Sequence, residues 1–288
     1  MPILKVVALS VVQGLAELLP VSSSAHVVVA EKLMGLDPSA PSMTLLLVML
    51  HTGTMAAVIV FFSGRWRAVL FGSAALVKRW LLLLLVATAV TGFVGEALVK
   101  VIERFWFHGS PHGEIEELFG HLELIAPALA LVGVLILVAG VLRGKVVPSG
   151  DGPAALDLKR AGLIGAVQGL CLPFRGFSRS GATISTGMLA GVARRPAEEF
   201  SFALAVLLTP PVVVREVLRL ARAEQADGAF GLAAAFVPSL LGAVCAFLAG
   251  LVALRWLSRW LESGRWHLFG VYCLVAAGAV LVLHEVGF

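Results

Sequence analysis

Two short segments of the chain hold the residue types that do chemistry. The first runs Gln13-Gly14-Leu15-Ala16-Glu17-Leu18-Leu19-Pro20-Val21-Ser22-Ser23-Ser24-Ala25-His26. Gln13 and Glu17 lie four apart and share a helix face, Pro20 cannot continue that helix, and the serines start the next one. Ser23 and His26, three apart, share a face of that second helix. Together these side chains supply a nucleophile, a base and an acid or metal ligand. Close helix packing through small residues explains the serines taken alone. It does not explain Glu17 and His26, which are costly to bury among apolar neighbours.

The second segment runs Gln168-Gly169-Leu170-Cys171-Leu172-Pro173-Phe174-Arg175-Gly176-Phe177-Ser178-Arg179-Ser180-Gly181-Ala182-Thr183. Ser178 can cap a helix whose first free N–H groups point into the turn, and Arg179 adds a planar cationic fork suited to phosphate oxygens. The segment reads as an anion site. A snorkelling arginine at an interface accounts for Arg194 and Arg195 but not for an arginine set between two serines and a glycine.

The elements that carry these segments are membrane elements. Of the 288 residues, 59% are hydrophobic and 14% charged, with a mean hydropathy of +0.96, which exposes too much apolar surface for a water-soluble globule. The net charge of +4 comes from basic residues scattered singly between apolar runs, which argues against a nucleic-acid partner. Cys171, Cys245 and Cys273 all lie in apolar stretches, at spacings that suit neither a disulfide framework nor a metal cage. Lys5 precedes a short apolar run, but Gln13 and Glu17 interrupt it and no A-x-A pattern follows, so we expect no cleaved signal peptide.

Six stretches, at 43–63, 80–99, 122–142, 198–220, 230–253 and 266–286, are long and apolar enough to cross a hydrocarbon core of roughly 20 helical residues. Two further apolar regions, 3–36 and 158–193, are broken near the middle by Pro, Ser and Gly. Each reads as a pair of re-entrant half-helices meeting at a polar turn, because irregular backbone at membrane depth survives only where protein or a water-filled cavity covers it. The two regions resemble each other: Val12-Gln13-Gly14-Leu15 recurs as Val167-Gln168-Gly169-Leu170, Ser22-Ser23-Ser24 aligns with Ser178-Arg179-Ser180 after one extra residue, and Leu33 and Gly35 align with Leu189 and Gly191. This internal repeat divides a single transmembrane domain, 1–288, into halves at 1–143 and 158–288.

Basic residues set the orientation. The interval 64–79 holds Arg65, Arg67, Lys78 and Arg79, whereas 100–121 is dominated by Glu103, Glu114, Glu116 and Glu117. The first is cytoplasmic and the second external, and the later basic clusters agree. Three crossings then separate the broken regions, so they enter from opposite sides and meet near the midplane, as inverted-topology repeats do. The expected fold is therefore an all-α integral membrane protein, with six transmembrane helices plus four re-entrant half-helices in two inverted-topology repeats.

The pairing of Gln13-x-x-x-Glu17 and Pro20-Val21-Ser22-Ser23-x-x-His26 with Ser178-Arg179-Ser180-Gly181-Ala182-Thr183 resembles the undecaprenyl-diphosphate phosphatase family of bacterial membranes. The similarity extends to the segments at 50–58 (LHTGTMAAV) and 198–206 (EEFSFALAV). The resemblance implies hydrolysis of undecaprenyl diphosphate to the monophosphate, which recycles the lipid carrier of cell-wall synthesis and lowers sensitivity to bacitracin. It also implies a multi-pass protein of the bacterial inner membrane, a site open to the periplasm or outer face, and a homodimer. Carried over by position, Glu17 and Gln13 match the first acidic motif, Ser23 the nucleophile, His26 the essential histidine, and Ser178, Arg179, Ser180 and Thr183 the phosphate-binding turn. Gln168, the repeat counterpart of Gln13, is expected on the substrate as well. Arg175-Gly176 stands where the family usually has Pro-Gly, which makes Arg175 either an extra phosphate ligand or an external charge.

The residues leave several assignments open. Ser23, His26 or an activated water could attack phosphorus, and Glu17 could move a proton or hold a divalent cation, Mg2+ or Ca2+, that bridges the diphosphate. A lipid-phosphate transporter or flippase is the rival reading, since broken helices in inverted repeats are common there.

Overall fold

Leu19 to Ser22 interrupt what would otherwise be one helix, and the interruption organises the first third of the fold. A computed structural model describes residues 2–36, 41–106, 121–142, 156–227 and 232–287. Among these the chain forms ten α-helices and no strand. They are α1 (Ile3–Leu18), α2 (Ser23–Leu33), α3 (Pro41–Leu70), α4 (Ala74–Trp106), α5 (Leu122–Leu142), α6 (Leu158–Cys171), α7 (Arg179–Leu189), α8 (Arg194–Asp227), α9 (Leu232–Glu262) and α10 (Trp266–Glu285). His108 and His112, in the acidic interval 100–121, lie outside the described residues.

Both apolar regions expected to break do so at their prolines. α1 stops before Pro20 and α6 before Pro173, because proline has no N–H to give the preceding turn. The four resulting helices have 16, 11, 14 and 11 residues, too short to span singly. The turns are built differently. The first bends at Ser22, whose φ of 66° is unusual for a residue with a side chain, and the second bends at Gly176, whose φ is 99°. The extra residue of the second segment is accommodated at that glycine.

Five helices, α3, α4, α5, α9 and α10, are long and apolar enough to cross a membrane. Their outer faces need lipid: on α4 alone, Leu85 is 67% and Phe93 78% exposed, a cost that water does not tolerate over so many neighbouring side chains. The sixth expected span, 198–220, lies on α8. That helix has the length, at 34 residues, but Glu198, Glu199 and Arg215 confine its uncharged stretch to 200–214. α9 runs past the expected end at 253 to Glu262, carrying Arg255 and Arg259 with it.

The helix partners cross between the halves. α1 packs on α9 while α6 packs on α4, and α5 packs on α10. Glycine permits each approach. A Cβ at Gly14 would stand 2.7 Å from the Ala246 carbonyl oxygen on α9, and one at Gly169 would stand 2.9 Å from the Thr91 carbonyl oxygen on α4. Gly14 and Gly169 are the matched glycines of the two VQGL segments, so the repeated residue does the same work in both. Gly133 and Gly270 bring α5 and α10 together reciprocally, each facing the other's carbonyl oxygen. Under this framework lies a core that includes Phe62, Phe200, Phe202, Trp266 and Phe269. The three cysteines are free thiols.

Candidate active site

The ends of α1 and α6 and the starts of α2 and α7 converge. Glu17, on the last turn of α1, takes a different partner on each carboxylate oxygen. Oε1 accepts from Arg179 Nη2 at 2.9 Å, and Oε2 accepts from the Ser23 hydroxyl at 2.5 Å. The Gln13 amide nitrogen, one turn back, also donates to Oε2 at 3.3 Å. The expected face-sharing of Gln13 and Glu17 is therefore a direct hydrogen bond. Side-chain exposures of 16% for Glu17 and 25% for Arg179 make this a partly buried pair, stronger than one on an open surface.

A half-open cavity of about 100 Å³ is lined by Ser22, Ser23 and Ser24 from the first turn, by Phe177, Ser178, Arg179 and Ser180 from the second, and by Ala16 and Glu17. It faces two helix N-termini, α2 starting at Ser23 and α7 at Arg179. Free N–H groups and the positive ends of two helix dipoles thus converge on one space beside a guanidinium. The turns are also tied to each other. The Gly176 amide donates to Ser24 Oγ at 3.3 Å, and the Ser180 hydroxyl donates to the Leu19 carbonyl at 3.3 Å. Ser178 caps α7 as expected, accepting from the Gly181 amide at 3.2 Å.

Other expected site residues stand elsewhere. His26 does not line the cavity. Its Nδ1 meets the Ser22 carbonyl at 2.8 Å, and its Nε2 meets the Tyr272 hydroxyl of α10 at 2.6 Å, with the two rings stacked. Thr183 lies one turn into α7, donating to the Arg179 carbonyl at 2.7 Å and meeting Ser201 Oγ of α8 at 2.6 Å. Gln168 is fully buried against α4, where its amide donates to Thr91 Oγ1 at 3.4 Å. It is not brought to the cavity, because the repeat turns the face of α6 that holds Gln168 and Gly169 onto α4. Arg175 is exposed and is not among the residues lining the cavity.

Two residues that the motif reading left in the background stand close to the site. Tyr272, the only tyrosine of the chain, holds His26 across 246 positions. His51 of α3 faces Gln13 at 3.3 Å and, with Glu17 and Arg179, lines a second, narrow cavity of about 10 Å³. Its place in the segment at 50–58 was the one available signal.

Fold and site together define a multi-pass helical membrane protein with a Ser–Glu–Arg cluster at the meeting point of two broken helices. The chain belongs to the family described as bacitracin resistance protein BacA, whose model matches residues 6–279. It is 56% identical over 287 residues to a protein of Acinetobacter baylyi named undecaprenyl-diphosphatase 2, covering 98% of both chains. It is also 34% identical over 281 residues to undecaprenyl-diphosphatase 2 of Burkholderia ambifaria, covering 94% of this chain and 92% of that one. The undecaprenyl-diphosphatase of Desulfatibacillum aliphaticivorans is 34% identical over 307 residues, covering 98% and 99% of the two chains.

Proposed function

We propose that the chain hydrolyses undecaprenyl diphosphate to undecaprenyl phosphate and inorganic phosphate, returning the lipid carrier to cell-wall synthesis. The observation that carries this reading is the cavity in which the Ser23 hydroxyl, already bonded to Glu17, faces Arg179 and two helix N-termini.

In the mechanism, the terminal phosphate occupies the cavity with its oxygens on the α2 and α7 amides and on the guanidinium N–H groups that Glu17 leaves free. Ser23 Oγ attacks the terminal phosphorus and its proton passes to Glu17 Oε2. A Ser–O–P bond forms, the P–O–P bond breaks, and undecaprenyl phosphate leaves with the electron pair and then the proton. Water next attacks the phosphoserine with Glu17 again as base, regenerating Ser23 and releasing inorganic phosphate. Arg179 and the helix ends stabilise the equatorial oxygens in both steps. Glu17, rather than His26, serves Ser23 because Glu17 touches its hydroxyl. His26 would exchange protons with solvent in the second step, once its Nε2 parts from Tyr272.

Glu17 and the serine hydroxyls are hard oxygen donors of the kind that hold Mg2+ or Ca2+ through one carboxylate and substrate phosphates, and no cluster of three His, Cys, Asp or Glu stands among the described residues. A cation held by Glu17 and the diphosphate would neutralise charge on the phosphate oxygens.

We further place the protein in the bacterial inner membrane, with α8 as the sixth span and the four short helices re-entrant in inverted repeats of 1–143 and 158–288. The site then opens to the periplasmic face, and two copies form a homodimer. The crossed packing of α1 on α9 and α6 on α4 supports the repeat.

Phosphate release from undecaprenyl diphosphate by purified protein in detergent tests the reading. Release is expected. Its absence, with movement of the lipid across vesicles containing the protein, would make the chain a transporter.

A further inference from the structure

His51 enters no step of this chemistry, yet with its ring neutral, and its Nε2 3.9 Å from Glu17 Oε2, its hydrogen bonds admit one consistent assignment of protons. Its Nδ1 lies 2.8 Å from the Leu47 carbonyl oxygen, which can only accept, so Nδ1 carries the hydrogen. In the neutral ring Nε2 is then a bare acceptor, and the group 3.3 Å from it is the Gln13 amide nitrogen. That same nitrogen stands 3.3 Å from Glu17 Oε2, which also can only accept. Gln13 therefore uses one amide hydrogen on each neighbour.

Reversing the Gln13 amide would set its oxygen against both the Glu17 carboxylate and the bare His51 nitrogen. Reversing the imidazole tautomer to relieve this would set Nδ1 against the Leu47 carbonyl. Each reversal puts two lone pairs together, the first where Gln13 is only 1% exposed and the second at the half-exposed His51 ring. The charged groups that line the cavity beside His51 are Glu17 and Arg179.

We infer that His51 is a positioning residue for the Glu17–Ser23 pair: anchored on the Leu47 carbonyl, it locks the Gln13 amide so that its other hydrogen falls on Glu17 Oε2. The chain of bonds runs from Leu47 through His51 and Gln13 to the oxygen that accepts the Ser23 proton. Glu17 is thereby held with Oε1 on Arg179 and Oε2 on Ser23. The inference rests on the proposed phosphatase reading and assigns a specific task within it.

A double-mutant cycle on phosphate release tests it, with KM and kcat measured separately and folding followed by thermal transition in detergent. Gln13→Met and His51→Leu each lower kcat about tenfold to a hundredfold, the worth of one hydrogen bond to a charged group, with KM within about twofold. The double variant is no worse than the poorer single one, because both break the same chain. His51→Gln, which offers an amide oxygen to Gln13, recovers kcat to within about threefold of the parent. Losses that multiply in the double variant, or an unchanged kcat in His51→Leu, overturn the inference. If Gln13→Met fails to fold, equal losses in His51→Gln and His51→Leu overturn it instead. A parent protein that releases no phosphate removes the functional reading itself, which is a separate outcome.

Discussion

Arg179 and Glu17 stand 162 positions apart and meet at 2.9 Å, and their ion pair joins the two polar turns across the cavity. Each partner has a second task, Glu17 on the Ser23 hydroxyl and Arg179 toward the anion site. Arg179→Ala is expected to lower phosphate release at least about a hundredfold, the range for losing a charge stabiliser of a transition state. Arg179→Lys restores little, because an ammonium cannot span Glu17 and phosphate as a fork does. Equal rates for Lys and Arg at 179, measured with undecaprenyl diphosphate, would show that only the charge matters.

Ser23→Ala removes the proposed nucleophile and the short bond to Glu17 together. Phosphate release should fall about a thousandfold or more, and rapid quenching of the parent with substrate should trap phosphate on Ser23. Ser24→Ala, which loses the bond from the Gly176 amide and the one shared with the Ser22 hydroxyl, should cost much less, about tenfold or under. Labelled phosphate found on another residue would move the nucleophile elsewhere.

The breaks at Pro20 and Pro173 were legible because proline and serine clusters inside an apolar run leave the backbone few alternatives. That Gln13 and Glu17 share a face followed from helix spacing alone, and the bond between them is what that face permits. Contacts across the chain were hidden for a physical reason: Tyr272 and His51 sit in apolar helices whose periodicity says which faces are buried but not against what. Gln168 shows the same limit. It repeats Gln13 in sequence, yet its helix faces α4, and Thr91 rather than a ligand takes its amide.

Gly14 and Gly169 should be equivalent in their intolerance of a side chain. A Cβ at either meets a carbonyl oxygen of the partner helix at 2.7 or 2.9 Å, so Gly14→Val or Gly169→Val must separate α1 from α9 or α6 from α4. We expect each to cost about 1–3 kcal/mol, read as a lowered thermal transition in detergent. Gly278→Ala, where a Cβ meets nothing within 4 Å, serves as the control and should leave the transition unchanged. A large effect at one of the matched glycines and none at the other would argue against equivalent halves.

Chelation tests the cation. If, as proposed, one carboxylate and the diphosphate share a divalent ion, EDTA should lower release at least about tenfold and added Mg2+ or Ca2+ should restore it. Undiminished release after exhaustive chelation would leave the charge to Arg179 and the helix ends alone.

Arg175 separates two readings of the second turn. It stands one residue before Gly176, where the family usually has proline, and a cation so near a phosphate site invites assignment as a ligand. Its side chain is exposed and does not line the cavity, whereas Arg179 four residues on does. Arg175→Ala should therefore leave KM for undecaprenyl diphosphate within about twofold of the parent, as exposed substitutions generally do, while Arg179→Ala abolishes measurable saturation. Gly176→Ala should be far worse than Arg175→Ala. Its φ of 99° is hostile to a side chain, and the added Cβ would stand 2.4 Å from the Ile125 carbonyl oxygen. A tenfold rise in KM for Arg175→Ala would instead make that arginine a phosphate ligand and require the turn to close over bound substrate.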